Sequence, residues 1–340
     1  MKVAILSPVA WRTPPRHYGP WERFVFLLSE GLIARGVDVT VFASGNSFTS
    51  GKLEWICPAP YEEDPALDAK VCEALHIGHF FEQAPNFDLL HNNFDFLPLA
   101  FSGLIDRPLL TTIHGFSSPK ILPVYEKYND RSYYISISNA DRNPRLRYLS
   151  TVYHGIDLKE LTWQEEPGDY LLYFGRIHPD KGTAAAIAIA RAAKMPLKIA
   201  GIIQDQDYFN NEVLPCIDNE QFIYLGPVGP EERDPLLGGA YALLHPIYFD
   251  EPFGLSVVEA MACGTPVIAF DRGSMPEVIA EGKTGFLVRE IAGAVECLTE
   301  IPRLDRWDCR HWVEEHFSQD IMVKNYLDLY QFILNKGPVI

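Results

Sequence analysis

Tyr170-Leu171-Leu172-Tyr173-Phe174-Gly175-Arg176-Ile177-His178-Pro179-Asp180-Lys181-Gly182 is the stretch that decides the fold. Its apolar run 170–174 breaks at a glycine, which reads as a buried strand of a parallel sheet ending in a turn. An Ala-rich helical stretch over 182–194 follows, and then a second apolar run at 197–200. Strand, helix, parallel strand is the unit of a doubly wound sheet. The rhythm extends downstream, with strands predicted at 222–225, 242–244 and 266–270 and a helix at 255–262. Upstream it gives strands at 3–6, 39–42, 89–90, 109–113 and 133–137. Between the first two of these, 22–35 has apolar residues at 24, 25, 27, 28, 32 and 33 and closes on Gly36. That is an amphipathic helix with a glycine stop. A polar break carrying Pro167-Gly168 interrupts the rhythm at 163–169. The sequence therefore predicts two α/β domains, 1–164 and 165–318, each with a parallel sheet. A C-terminal segment 319–340, helical over 321–334, is a candidate to pack back on the first domain.

Composition narrows the partners. A chain of 340 residues exceeds what one core usually organises, and 47% hydrophobic with 22% charged residues is ordinary globular composition. The net charge of −16 and the lack of a Lys/Arg run count against nucleic acid and anionic lipid surfaces. Six scattered cysteines without a CxxC pair point away from a zinc site or disulfide framework. The first apolar run is broken at Pro8, too early for a signal peptide, and no stretch reaches the ~20 apolar residues of a membrane span. A cytoplasmic protein without an integral membrane segment is the expectation.

Glu251-Pro252-Phe253-Gly254-Leu255-Ser256-Val257-Val258-Glu259-Ala260 carries the most chemical information. Pro252 suits the first position of a helix, where its missing N–H costs nothing. The amides of Phe253, Gly254 and Leu255 would then point out of the helix start and form an anion site. Gly254 would let a phosphate approach closely. Helical side chains lean towards the N-terminus, so Glu259 is placed to reach back and accept hydrogen bonds from a ribose diol. Glu251, ahead of the helix, is placed to do the same for sugar hydroxyls. The plainer alternative is an acidic cap and a surface glutamate. Arg176 and Lys181 flank a loop at the carboxyl end of a strand, where such sheets bind ligands. Fixed positive charge there suits a departing diphosphate when no metal is present. Solvated loop cations are the alternative.

Four elements recur in order: Tyr153-His154-Gly155-Ile156-Asp157; Gly175-Arg176 with Lys181-Gly182; Glu251 to Glu259 running on to Gly264-Thr265-Pro266; and Gly273-Ser274-Met275-Pro276-Glu277-Val278-Ile279. In that order and spacing they resemble the signature of the retaining glycosyltransferases of family 4, over almost the whole chain. The resemblance implies a GT-B fold, two Rossmann-like domains facing a cleft. It also implies a nucleotide-sugar donor held mainly by the C-terminal domain, no metal, no separate cofactor, and retention of anomeric configuration. His17-Tyr18-Gly19-Pro20-Trp21-Glu22-Arg23 is similar to the family's glycine loop over the donor phosphates. Gly19 is the matching glycine, and Pro20 replaces the usual second one. Thr111-Thr112-Ile113-His114-Gly115 is similar to the family's strand-end histidine segment, which puts His114 near the transferred sugar. His91-Asn92-Asn93 stays open between a structural role and contact with substrate hydroxyls. Ser136-Ile137-Ser138-Asn139 resembles a family segment to which no role is assigned here.

The expected activity is transfer of a hexose from a UDP- or GDP-sugar to a soluble acceptor. His114, Arg176, Lys181 and Glu251 are the expected catalytic residues. Gly19, Gly175, Phe253, Gly254, Leu255 and Glu259 are the expected donor-binding ones. A sugar-nucleotide epimerase of the same architecture and a non-enzymatic nucleotide-sugar binding module are the alternatives. No GxGxxG follows either first strand, which counts against a dehydrogenase.

Overall fold

Apolar runs that alternate with amphipathic helices can bury both faces of a sheet only by winding helices onto each side. The computed structural model, which describes residues 1–16, 19–116 and 118–336, shows this arrangement twice. One unit takes residues 1–155 together with the chain from Gln319 onward, and the other takes 156–318.

In the first unit the strands are β1 (Lys2–Leu6), β2 (Asp38–Phe42), β3 (Lys52–Glu54), β4 (Leu89–Asn92), β5 (Leu109–Ile113), β6 (Tyr133–Ser136) and β7 (Tyr148–Thr151). They lie in the order β3-β2-β1-β4-β5-β6-β7, and each pair is parallel. Along β1 the residues alternate between two cores. Val3 and Ile5 join the core that includes Phe24, Leu28 and Leu32 of the helix Pro20–Ile33. Ala4 and Leu6 join the one that includes Ile77, Phe80 and Phe81 of the helix Ala69–Glu82.

The helix Gln319–Lys336 belongs to this unit. Met322, Val323, Tyr326, Tyr330 and Ile333 are buried in the core of Val3 and Phe24. Burying side chains of this size contributes about 1.5–3 kcal/mol each. Gly31 makes the approach possible, since a Cβ there would stand 2.4 Å from Val323 Cγ2. The two tyrosine hydroxyls also need partners once buried. Tyr330 bonds His91 Nδ1 at 2.6 Å, and Tyr326 bonds Thr112 Oγ1 at 2.8 Å.

The second unit has β8 (Leu171–Phe174), β9 (Leu197–Ala200), β10 (Phe222–Gly226), β11 (Ala242–His245), β12 (Val267–Phe270) and β13 (Gly285–Val288). Their order is β10-β9-β8-β11-β12-β13, all parallel. Strand order thus reverses beside β1 in one sheet and beside β8 in the other, and the carboxyl ends there are the usual ligand sites of such folds.

The units divide at Gly155/Ile156 and not at 164/165. The intervening segment is bonded to the second unit. Ile156 N–H donates to the Phe317 carbonyl at 2.9 Å, and Gln164 N–H to that of Cys263 at 3.0 Å. The Arg310 guanidinium donates to the carbonyl of Leu161 at 2.9 Å. Pro167-Gly168 is a turn inside the unit, with Gly168 N–H bonded to Gly239 at 3.0 Å. Among the described residues, no helix is long and apolar enough to cross a membrane.

Candidate active site

At the carboxyl end of β8 the chain turns through Gly175, and the Tyr173 hydroxyl donates to the Arg176 carbonyl at 2.8 Å to fix the turn. A Cβ at Gly175 would meet only Tyr173, no closer than 3.7 Å, so open room remains above the turn. The half-buried Arg176 donates through Nη1 to the Gln204 side-chain oxygen. Gly182 is required where it stands. Its φ is +73°, and an added Cβ would lie 1.9 Å from the Pro246 carbonyl beyond β11. That close approach carries Lys181 towards the β11 loop.

There Lys181 Nζ donates to Glu251 Oε2 at 2.6 Å, with side-chain exposures of 15% and 12%. The ammonium also stands 4.5 Å from the centroid of the Phe249 ring. His245 Nε2 lies 3.5 Å from the same carboxylate oxygen. Burial alone would raise the Glu251 pKa, but the His245 ring and the Lys181 charge outweigh it and hold the carboxyl down to about 2. Glu251 is therefore ionised at neutral pH, at the point where strand order reverses.

The helix after Glu251 is Leu255–Ala262, so it starts three residues later than a Pro252 start would have it. Gly254 is its cap, in the left-handed conformation at φ +91°. The Phe253 carbonyl accepts from Ser274 Oγ at 2.9 Å, and its ring is buried edge-on to Phe317. The Phe253 amide is thus not part of the helix start, which opens with Leu255 and Ser256. The loop is held from outside by Gly273, where a Cβ would lie 2.3 Å from the Glu251 nitrogen, and by Ser274 N–H bonded to the Glu251 carbonyl at 2.9 Å. Glu259 sits in the second turn, where its Oε1 accepts from Arg233 Nη1 at 2.9 Å.

In the first unit, Gly19 has φ +147° and caps the helix Pro20–Ile33 without a side-chain bond. His17 and Tyr18 of the same predicted loop lie outside the described residues. His114 follows β5, is 9% exposed, and stacks on Trp21 with centroids 5.6 Å apart. Its Nε2 bonds Asn93 Oδ1 at 3.1 Å and its Nδ1 bonds His154 Nε2 at 3.2 Å. With the Asn93 oxygen as acceptor, His114 carries its proton on Nε2, and His154 donates to it. Burial first, and then the neighbouring His154 and His91, push the His114 pKa well below the usual histidine range. It is neutral, and both ring nitrogens are occupied. Asn93 Nδ2 is buried without a hydrogen-bond partner among the described residues. His91 is structural: fully buried and bonded to Tyr330 and Thr112, with burial lowering its pKa to about 3.

Two family models match. Residues 21–159 match Glycosyltransferase Family 4, and residues 159–295 match Glycosyl transferases group 1. The chain belongs to these glycosyltransferases.

A D-inositol 3-phosphate glycosyltransferase of Rhodococcus erythropolis is 31% identical over 188 residues, covering 49% of this chain and 42% of that protein. The match thus spans under half of that relative's length. Among solved structures, sucrose-phosphate synthase from Thermosynechococcus elongatus has a TM-score of 0.79 at 18% identity over 99% of this chain and all of that one. The Anabaena protein HepE, solved with UDP and glucose, has a TM-score of 0.75 at 19% identity over 98% of this chain and all of that one. These likenesses show a GT-B fold.

Gly175, Arg176, Lys181, Glu251, Gly254, Leu255 and Glu259 all fall at the carboxyl edge of the second sheet or on the helix that starts there. Gly19 and His114 lie at that edge of the first sheet. Arg233, His245 and the burial of Glu22 are not legible in the sequence. The first two are recognisable only through the carboxylates they meet. Asn93 was noted without its link to His114. Glu22 is 3% exposed, and burial raises its carboxyl to about 7 against the opposing backbone N–H bonds of Glu22 and Trp11.

Proposed function

We propose that this glycosyltransferase binds a UDP- or GDP-hexose on its second unit and transfers the hexose, with retention and without a metal, to a soluble acceptor. The carrying observation is the largely buried Lys181–Glu251 pair at the β8/β11 switch point, with the helix start at Leu255 following it. A cation and a carboxylate held side by side suit a diphosphate bonded to a sugar: Lys181 and Arg176 face the phosphates and Glu251 the hexose hydroxyls. Glu259 accepts from the ribose diol, with Arg233 fixing its orientation. The bond from the anomeric carbon to the diphosphate oxygen breaks, and the acceptor oxygen bonds to that carbon from the same face. The acceptor proton passes to the departing diphosphate. The protein supplies orientation and charge stabilisation, and His114 holds the Asn93 amide in place. The net charge of −16 and the family match support a soluble acceptor and retention respectively.

The two glutamates test the assignment. Glu259→Ala should weaken binding of the bare nucleoside diphosphate about tenfold, ~1.4 kcal/mol, because the ribose contact does not depend on the reacting bond. Glu251→Gln should leave nucleotide affinity alone and lower kcat, since its contact strengthens as charge develops at the anomeric carbon. Calorimetric titration with nucleoside diphosphate separates them. Unchanged nucleotide affinity in Glu259→Ala removes the ribose assignment.

A further inference from the structure

We propose that the cavity of ≈ 510 Å³ at the carboxyl edge of the first sheet is the acceptor subsite, and that it takes an uncharged sugar or cyclitol ring in preference to a phosphorylated one. This rests on the glycosyltransferase reading above and adds to it the class of acceptor. The cavity is formed by the segment after β1, the start of the helix Pro20–Ile33 and the segment after β4. Those elements surround the point where β1 and β4 adjoin and strand order reverses, the place where an open α/β sheet receives a ligand. One wall, Trp21, is the ring stacked on His114.

The lining chemistry fits a polyhydroxylated ring. Trp11, Trp21 and Tyr61 offer aromatic surface, against which the C–H face of a pyranose or cyclitol packs. Glu22, Glu73 and Asp95 offer carboxyl groups, each able to accept two hydrogen bonds from neighbouring hydroxyls. Their positions are fixed: Glu73 accepts from the Tyr61 hydroxyl at 3.2 Å, Asp95 from Tyr125, and Glu22 from the Trp11 N–H at 3.3 Å. Burial raises the Glu22 carboxyl to about 7; in its protonated form it donates to a sugar oxygen. A phosphate ester brought among these carboxyl groups meets like charge, with no Lys or Arg among the described lining residues to offset it.

The test is an acceptor array on the full chain. It pairs hexoses, N-acetylhexosamines and myo-inositol with their phosphate esters, each assayed with the nucleotide sugar that the protein binds by calorimetry. At least one uncharged member should be glycosylated, with its phosphate ester used at least about tenfold less well in kcat/KM. Glu22→Gln should raise the KM for the uncharged acceptor about tenfold and leave nucleotide-sugar affinity within about twofold. Glu73→Lys, at a half-exposed position, should shift preference towards the phosphate ester. The proposal is overturned if only phosphorylated members are used, if no uncharged member is used although the donor binds, or if the acceptor KM ignores both substitutions. Absence of nucleotide-sugar binding altogether would instead remove the glycosyltransferase reading on which the proposal rests.

Discussion

Lys181→Ala should lower both stability and turnover, and a paired substitution should separate the two losses. The single change leaves the Glu251 carboxylate, 12% exposed, with His245 as its remaining ion-pair partner among the described residues. Breaking a buried pair from one side costs about 3–5 kcal/mol, because the remaining charge has lost its partner. For a unit of this size that is a fall of roughly 10 °C in melting temperature. Lys181→Met with Glu251→Gln removes both charges at similar volume and should recover most of that stability. Turnover should remain depressed by about 30- to 1,000-fold, the ~2–4 kcal/mol typical of losing a donor to a developing anion. Thermal melts and initial rates on the three proteins decide it. Recovery of turnover together with stability in the double variant would reduce the pair to a structural bridge.

Arg176→Ala should show the opposite balance. Arg176 is half-buried, and its observed partner is the uncharged Gln204. Its removal should change stability by no more than about 0.5 kcal/mol. If it stabilises the departing diphosphate, turnover should fall by about 30- to 1,000-fold. Arg176→Lys should restore only part of that, since an ammonium cannot reproduce a bidentate contact to phosphate oxygens. Wild-type kinetics in Arg176→Ala would show it to be a solvated loop cation.

The interior of the fold was legible because parallel strands covered on both faces are near-continuous apolar runs, as β1, β5, β8 and β12 are. The strands that escaped notice, β3, β7 and β13, are all sheet edges. β3 is only Lys-Leu-Glu, and β7 is half-exposed along its length, so neither carries an apolar run. The polar stretch with Pro167-Gly168 looked like a linker because Pro-Gly marks turns as well as boundaries. The division lies earlier because Ile156 is bonded to Phe317, a contact 161 positions away along the chain and invisible to local pattern.

The site was legible to the same degree. Arg176, Lys181 and Glu251 stood out because cations and carboxylates at strand ends have few structural uses. The helix over 255–262 forms as its apolar pattern predicts, but Pro252, itself an opening signal, stays outside it because Gly254 in its left-handed conformation is the cap. That conformation belongs to a loop held by Gly273 and Ser274, residues well removed in sequence. The Arg233–Glu259 and His245–Glu251 pairings, and the raised pKa of Glu22, arise only once separate elements pack together.

The central claim is that the second unit binds a nucleotide sugar through Arg176, Lys181 and Glu259 rather than through a metal. Calorimetric titration of the whole chain in EDTA, with a panel of UDP- and GDP-hexoses, tests it most directly. Saturable one-to-one binding of at least one donor is expected, unaltered when magnesium or manganese replaces EDTA and weakened in Arg176→Ala. Failure of every donor to bind, or binding that appears only with the metal present, would contradict it.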